Sequence, residues 1–233
     1  FAHPDDETSA SAGTMVKLAQ DQNEVYVVTA TGGELGSLGT SGIPIKRKDL
    51  PKVREQELRA NLKMYGVNPP FMLRYIDQDL NKEDLAVLSG KLLEMMDSVE
   101  PDIILTFGPS GVSRHPDHIA IHKATVLAYR KYRAEGSSNK SPLLIYPSIP
   151  NDIEKMYDLC LSDVEKNMDI VVDIKTTIAV KIEGLRNYRS QQDAQDLASD
   201  LSKMDADLET YSVSPESTNK WETLKIVSYL NSL

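Results

Sequence analysis

The sequence predicts an α/β fold: a Rossmann-like, mostly parallel sheet flanked by helices, followed by a less regular C-terminal α/β extension. Two observations carry this. Over the first two thirds of the chain, short apolar runs alternate with amphipathic stretches, the order expected when crossover helices join parallel strands. After Pro150 the alternation becomes harder to follow. The 233 residues suffice for one sizeable core, so the chain reads as a single domain with a core at 1–150 and an extension at 151–233.

The strands expected are a stump at Phe1-Ala2, then Glu24–Ala30, Phe71–Ile76, Asp102–Phe107 and Leu143–Tyr146, each a short apolar run. One helix starts near Asp49, an N-cap residue with Pro51 just inside, and stops at Gly66. A second starts after Asn81. Its Leu85, Leu88, Leu92, Met96 and Val99 fall on one helical face, and Pro101 bars continuation. A third follows Pro116 and runs to a basic end at Arg130, Lys131 and Arg133, which suits the negative helix C-terminus. The extension reads as a strand at Asp169–Ile174, a helix from Thr177 to Gln191 and a last helix around Trp221–Leu230. Thr31–Asp49 and Glu135–Pro142 read as long polar loops, and Leu38–Asp49 and Glu135–Pro142 are expected to set substrate choice. The chain opens without Met two residues before a site motif, so a preceding piece of the first strand is expected to lie outside this sequence.

Composition narrows the function. Hydrophobic residues make up 40 % and charged residues 26 %, with a mean hydropathy of -0.35, values of an ordinary globular protein. No apolar run approaches the roughly 20 residues of a spanning helix. The net charge of -9 repels polyphosphates, so neither nucleic acid nor membrane is an expected partner. The one cysteine, Cys160, rules out an internal disulfide or a multi-cysteine metal cage; it reads as a buried thiol in a cytoplasmic protein.

The four histidines lie in two short segments, His3-Pro4-Asp5-Asp6-Glu7 and His115-Pro116-Asp117-His118-Ile119-Ala120-Ile121-His122. Each directly follows an expected strand, and in parallel α/β sheets function gathers at the carboxyl ends of strands. Three imidazole or carboxylate ligands leave zinc an open position, the arrangement of catalytic rather than structural sites. Asp6 and Asp117 have ordinary uses too, as helix-cap or first-turn residues. Glu34 and Ser113 join the candidates by position alone, and Arg114 beside His115 suits an anionic substituent. A His118/His122 pair at i, i+4 is a rival ligand set, although Ile119 stands where a zincin helix needs Glu.

The pair of motifs AHPDDE and HPDH, in this order, resembles the PIG-L/LmbE-like family of N-acetylglucosaminyl deacetylases. Thr31–Gly36, Arg54-Glu55-Gln56-Glu57-Leu58 and Tyr188-Arg189-Ser190-Gln191 extend the resemblance to about residue 191. The resemblance implies Zn2+ as cofactor, with His3, Asp6 and His118 as its ligands. It implies Asp5 as general base, His115 facing the reacting carbonyl, Asp117 holding His115, and Arg54 contacting substrate. The expected activity is hydrolysis of the acetamide of a small N-acetylated amino sugar or its glycoside. A zinc amidase acting on a non-sugar or larger acyl amide, and a non-catalytic sugar- or nucleotide-binding module, are the alternatives. Oligomeric state stays open, a homo-oligomer included.

Overall fold

The computed structural model describes residues 1–40, 45–135, 141–217 and 219–233. Of the two loops expected to set substrate choice, residues 41–44 and 136–140 lie outside the described residues. In chain order the elements are α1 (Asp6–Gln20), β1 (Val28–Thr31), α2 (Leu50–Tyr65), β2 (Phe71–Tyr75), α3 (Leu85–Val99), β3 (Ile103–Leu105), the single turn α4 (Gly111–Arg114) and α5 (Pro116–Glu135). There follow β4 (Leu143–Ser148), α6 (Asn151–Met156), β5 (Ile170–Asp173), α7 (Ile178–Asn187), α8 (Gln192–Leu201), β6 (Leu208–Val213) and α9 (Lys220–Leu230). The α/β class is as expected. The strands form a parallel β1-β2 ladder and a mixed sheet of order β3-β4-β6-β5, in which β3 and β4 are parallel and β4 and β6 antiparallel. Among the described residues no helix is long and apolar enough to cross a membrane.

Two compact units divide the chain, one of Phe1–Gln78 with Val172–Glu209, the other of Asp79–Val171 with Thr210–Ser232. In the first, the buried faces of α1, α2, α7 and α8 share a core that includes Met15, Leu58, Leu62, Tyr65, Leu185 and Tyr188. Gly184 permits the closest approach in this core, because a Cβ there would lie 1.7 Å from the Tyr65 hydroxyl. Gly184→Ala is therefore expected to cost about 1–3 kcal/mol through overpacking, read as a lower urea midpoint with an unchanged slope. In the second unit, α3 and α5 pack together, and Tyr129, Leu144 and Tyr146 form a buried cluster.

Several elements begin or end differently from the sequence expectation. Asp49 makes no side-chain cap to α2 and ends a 3-10 turn instead, while Gly66 at φ 77° closes the helix as expected. Asp84 caps α3 by accepting the Ala86 N–H at 2.7 Å, so Asn81 lies a turn too early and Leu85 is exposed. The expected helix Thr177–Gln191 stops at Asn187, and Gln192 starts a second one. Cys160 is half-buried rather than buried. Strand β6 was not expected at all: Leu208-Glu209-Thr210-Tyr211-Ser212-Val213 carries polar residues at positions the fold buries.

Candidate active site

In the first unit, residues 1 and 2 extend the parallel ladder. Ala30 N–H donates to the Phe1 carbonyl at 3.0 Å and Thr31 N–H to the Ala2 carbonyl at 2.9 Å. His3 thus leaves the ladder at a strand's carboxyl end, where strand-end chemistry is expected. His3 is 8 % exposed, with Nδ1 3.5 Å from Asp6 Oδ2 and Nε2 3.1 Å from Asp77 Oδ1. Asp6 Oδ2 also accepts the N–H of His3 at 2.7 Å and of Ala2 at 3.1 Å, so its carboxylate braces the turn before α1.

Asp5 occupies the N-cap position of α1 without capping it. Its Oδ2 accepts from Arg54 Nη2 at 2.8 Å, and Arg54 also donates to the carbonyls of Gly33, at 3.0 Å, and Pro4. Gly33 has φ 62°, and a Cβ there would strike the guanidinium, so glycine is required on both counts. Burial pushes the Asp5 carboxyl up and Arg54 pulls it back, with a net rise above the ordinary carboxylate value. Glu34 is half-buried and accepts the Asp77 N–H at 3.0 Å.

Asp77 escaped the sequence reading. It follows β2 as His3 follows the Phe1-Ala2 stump, and the strand-end argument applied to that stump and to Asp102–Phe107 would have found it. Burial opposes ionisation of Asp77, but the His3 hydrogen bond, the His3 charge and the Leu35 N–H together hold it below the usual carboxylate range.

In the second unit, the segment after β3 is tightly wound. Gly111 at φ 64°, Val112 at φ 62° and Arg114 at φ 59° all have left-handed backbone, which is costly for valine and arginine. Buried Glu165 accepts from the N–H and hydroxyl of Ser110 at 3.1 and 2.8 Å and anchors this turn. The Gly111 carbonyl lies 3.0 Å from His118 Nδ1. Because a carbonyl only accepts, this contact puts a proton on Nδ1, which leaves Nε2 as the ring nitrogen through which a histidine can ligate a metal. The His118 ring stacks on Phe107 at 3.9 Å, and the His115 ring lies 4.9 Å away.

Asp117 is fully buried. Its N–H donates to His115 Nδ1 at 3.2 Å and its Oδ1 accepts the Leu80 N–H at 3.2 Å. His122 meets the Phe107 carbonyl through Nδ1 at 2.8 Å, and burial pushes its imidazole down. Ser113 and Arg114 are exposed on the α4 turn. Tyr188 is a packed residue whose hydroxyl donates to Glu7 at 2.6 Å, and Gln191 is likewise buried. Thus one unit gathers His3, Asp5, Asp6, Glu34 and Arg54, and the other His115, Asp117 and His118.

The donor chemistry of each unit suits a divalent metal: imidazole and carboxylate in the first, imidazole with a fixed tautomer in the second. Residues 1–129 match the family model described as PIG-L, GlcNAc-PI de-N-acetylase. The chain is 33 % identical over 190 residues to a probable N-acetyl-alpha-D-glucosaminyl L-malate deacetylase 2 of Bacillus subtilis (strain 168), spanning 81 % of this chain and 80 % of that protein. It is 26 % identical over 226 residues to a 1D-myo-inositol 2-acetamido-2-deoxy-alpha-D-glucopyranoside deacetylase of Mycobacterium sp. (strain JLS), covering 82 % and 72 % of the two chains. Its fold is similar to that of N,N'-diacetylchitobiose deacetylase from Pyrococcus horikoshii, with a TM-score of 0.72 at 20 % identity over 92 % of this chain and 81 % of that one. The chain belongs to the PIG-L family, whose deacetylases are metalloenzymes that hydrolyse N-acetyl amide bonds.

Proposed function

We propose that this chain removes the acetyl group from a small N-acetylglucosamine-containing substrate, with zinc as its metal and His3, Asp6 and His118 as the ligands that the family resemblance implies. The observation that carries the reading is Asp5: a buried carboxylate held by Arg54 at 2.8 Å, between two proposed ligands in sequence and unspent on capping its helix. When bound, zinc supplies a Lewis acid toward water and the amide carbonyl. Asp5 takes a proton from the attacking water, the task of a general base within reach of the reacting group. His115 donates a hydrogen bond to the oxyanion as the carbonyl carbon becomes tetrahedral, and Asp117 holds His115. The C–N bond then breaks, the amine collects a proton from Asp5 or His115, and acetate leaves. Arg54 keeps Asp5 in place and, by family resemblance, touches substrate. Glu34 and Ser113 are assigned to sugar contacts by their places after β1 and β3.

The test is release of amine and acetate from N-acetylglucosamine and a panel of its glycosides, before and after chelation. Turnover is expected to vanish with the metal and to return with zinc. Cleavage confined to larger acyl amides would move the assignment to an amidase, and sugar binding without turnover would replace it with a binding module.

A further inference from the structure

We infer that Glu7, the motif residue with no part in the chemistry above, is a positioning residue: together with Arg54 it clamps the Pro4–Asp5 peptide and so sets the direction in which the Asp5 carboxylate leaves the backbone. The inference rests on the reading of Asp5 as the base. Asp5 has φ 107°, a region that non-glycine residues enter only against steric cost and keep only where the surroundings hold them. Both polar groups of the preceding peptide are held by charged side chains. Glu7 Oε2 accepts the Asp5 N–H at 3.0 Å, and Arg54 Nη2 donates to the Pro4 carbonyl.

A peptide unit is planar, so fixing its N–H and its C=O fixes the plane from which φ of Asp5 is turned. The following peptide is held as well, because the Asp5 carbonyl accepts the Ser9 N–H at 3.0 Å and the Ser9 hydroxyl at 2.9 Å. With both planes set, the Cα–Cβ bond of Asp5 has one direction. Glu7 cannot swing away, since its Oε1 accepts the hydroxyls of Thr8 and Tyr188, each at 2.6 Å. Thr8 in turn meets the Tyr65 hydroxyl at 3.0 Å. The ordinary role of an acidic residue in a first helical turn, a solvated charge near the positive helix end, does not describe a side chain with 0 % exposure.

Two measurements test the clamp. In the zinc-loaded protein, Glu7→Ala is expected to lower kcat about 10²-fold, the scale of a misplaced catalytic group, with KM and zinc content within about twofold of the parent. Glu7→Gln keeps an oxygen facing the Asp5 N–H and is expected to recover most of that loss, which a general loss of packing would not predict. In the metal-free protein, the Asp5 amide proton is expected downfield and slow to exchange in the parent, and upfield and fast in Glu7→Ala. A kcat unchanged in Glu7→Ala, or a freely exchanging Asp5 amide in the parent, would overturn the clamp. Should Glu7→Ala fail to fold, the parent amide still decides. A parent that releases no amine while its Asp5 amide is protected would sink the assignment of Asp5 as base and leave the clamp standing.

Discussion

Asp5→Asn is expected to lower kcat for amine release about 10²- to 10⁴-fold, the usual loss on removing a general base. Asparagine is the better test than alanine. Arg54 is 4 % exposed, and deleting its partner outright would leave a buried cation unpaired, confounding a chemical effect with an unfolding one. The amide of asparagine still offers Arg54 an oxygen, yet it cannot take a proton from water near neutral pH. Zinc content and thermal midpoint close to those of the parent should accompany the loss. If the variant instead keeps kcat within a few-fold of the parent, another group is the base, and His115 becomes the first candidate.

The largest effect on stability is expected at Glu209. Helix α1 is interrupted at Ser11, with φ −156° and ψ 16°. The Glu209 carboxylate takes the N–H groups of Gly13 and Thr14 at 3.1 and 2.7 Å, and the Lys181 ammonium at 2.7 Å. The two charged side chains are 3 % and 8 % exposed. Glu209→Ala strands both backbone donors and the cation, which should destabilise the fold by about 3–5 kcal/mol, the cost of breaking a buried pair from one side. Lys181→Met should cost less, because Glu209 keeps its two backbone donors. Urea unfolding of both variants checks the order, and a Lys181→Met variant less stable than Glu209→Ala would show that the backbone caps contribute little.

The helices read best from sequence were those whose signals are local. In α2, Pro51 and Gly66 act through their own backbone geometry, so both ends fell within a residue or two of expectation. In α3 the three- and four-residue spacing named Leu88, Leu92 and Met96 as buried, but not the start of the helix, since Asn81 and Asp84 are both plausible caps until the chain is folded. Strand β6 failed for the opposite reason. Glu209 looks like a solvent residue until Lys181 and the broken turn of α1 surround it, and those partners lie 28 and about 195 residues away.

The site divides in the same way. By itself, the sequence determined the family, because HPDDE and HPDH are legible in a few consecutive residues after a strand, and the side chains proposed for the chemistry come from those motifs. It also determined the α/β class, through periodicities that each segment displays alone. Only the tertiary structure decided that Arg54 turns its guanidinium onto Asp5 and that Asp77 meets His3. It likewise decided that Glu7 faces inward and that the Gly111 carbonyl selects the tautomer of His118. Several of these contacts join residues separated by dozens of positions, and the others depend on burial or on a left-handed turn. Their strength comes from exclusion of water, a property that no residue possesses until the chain has closed around it.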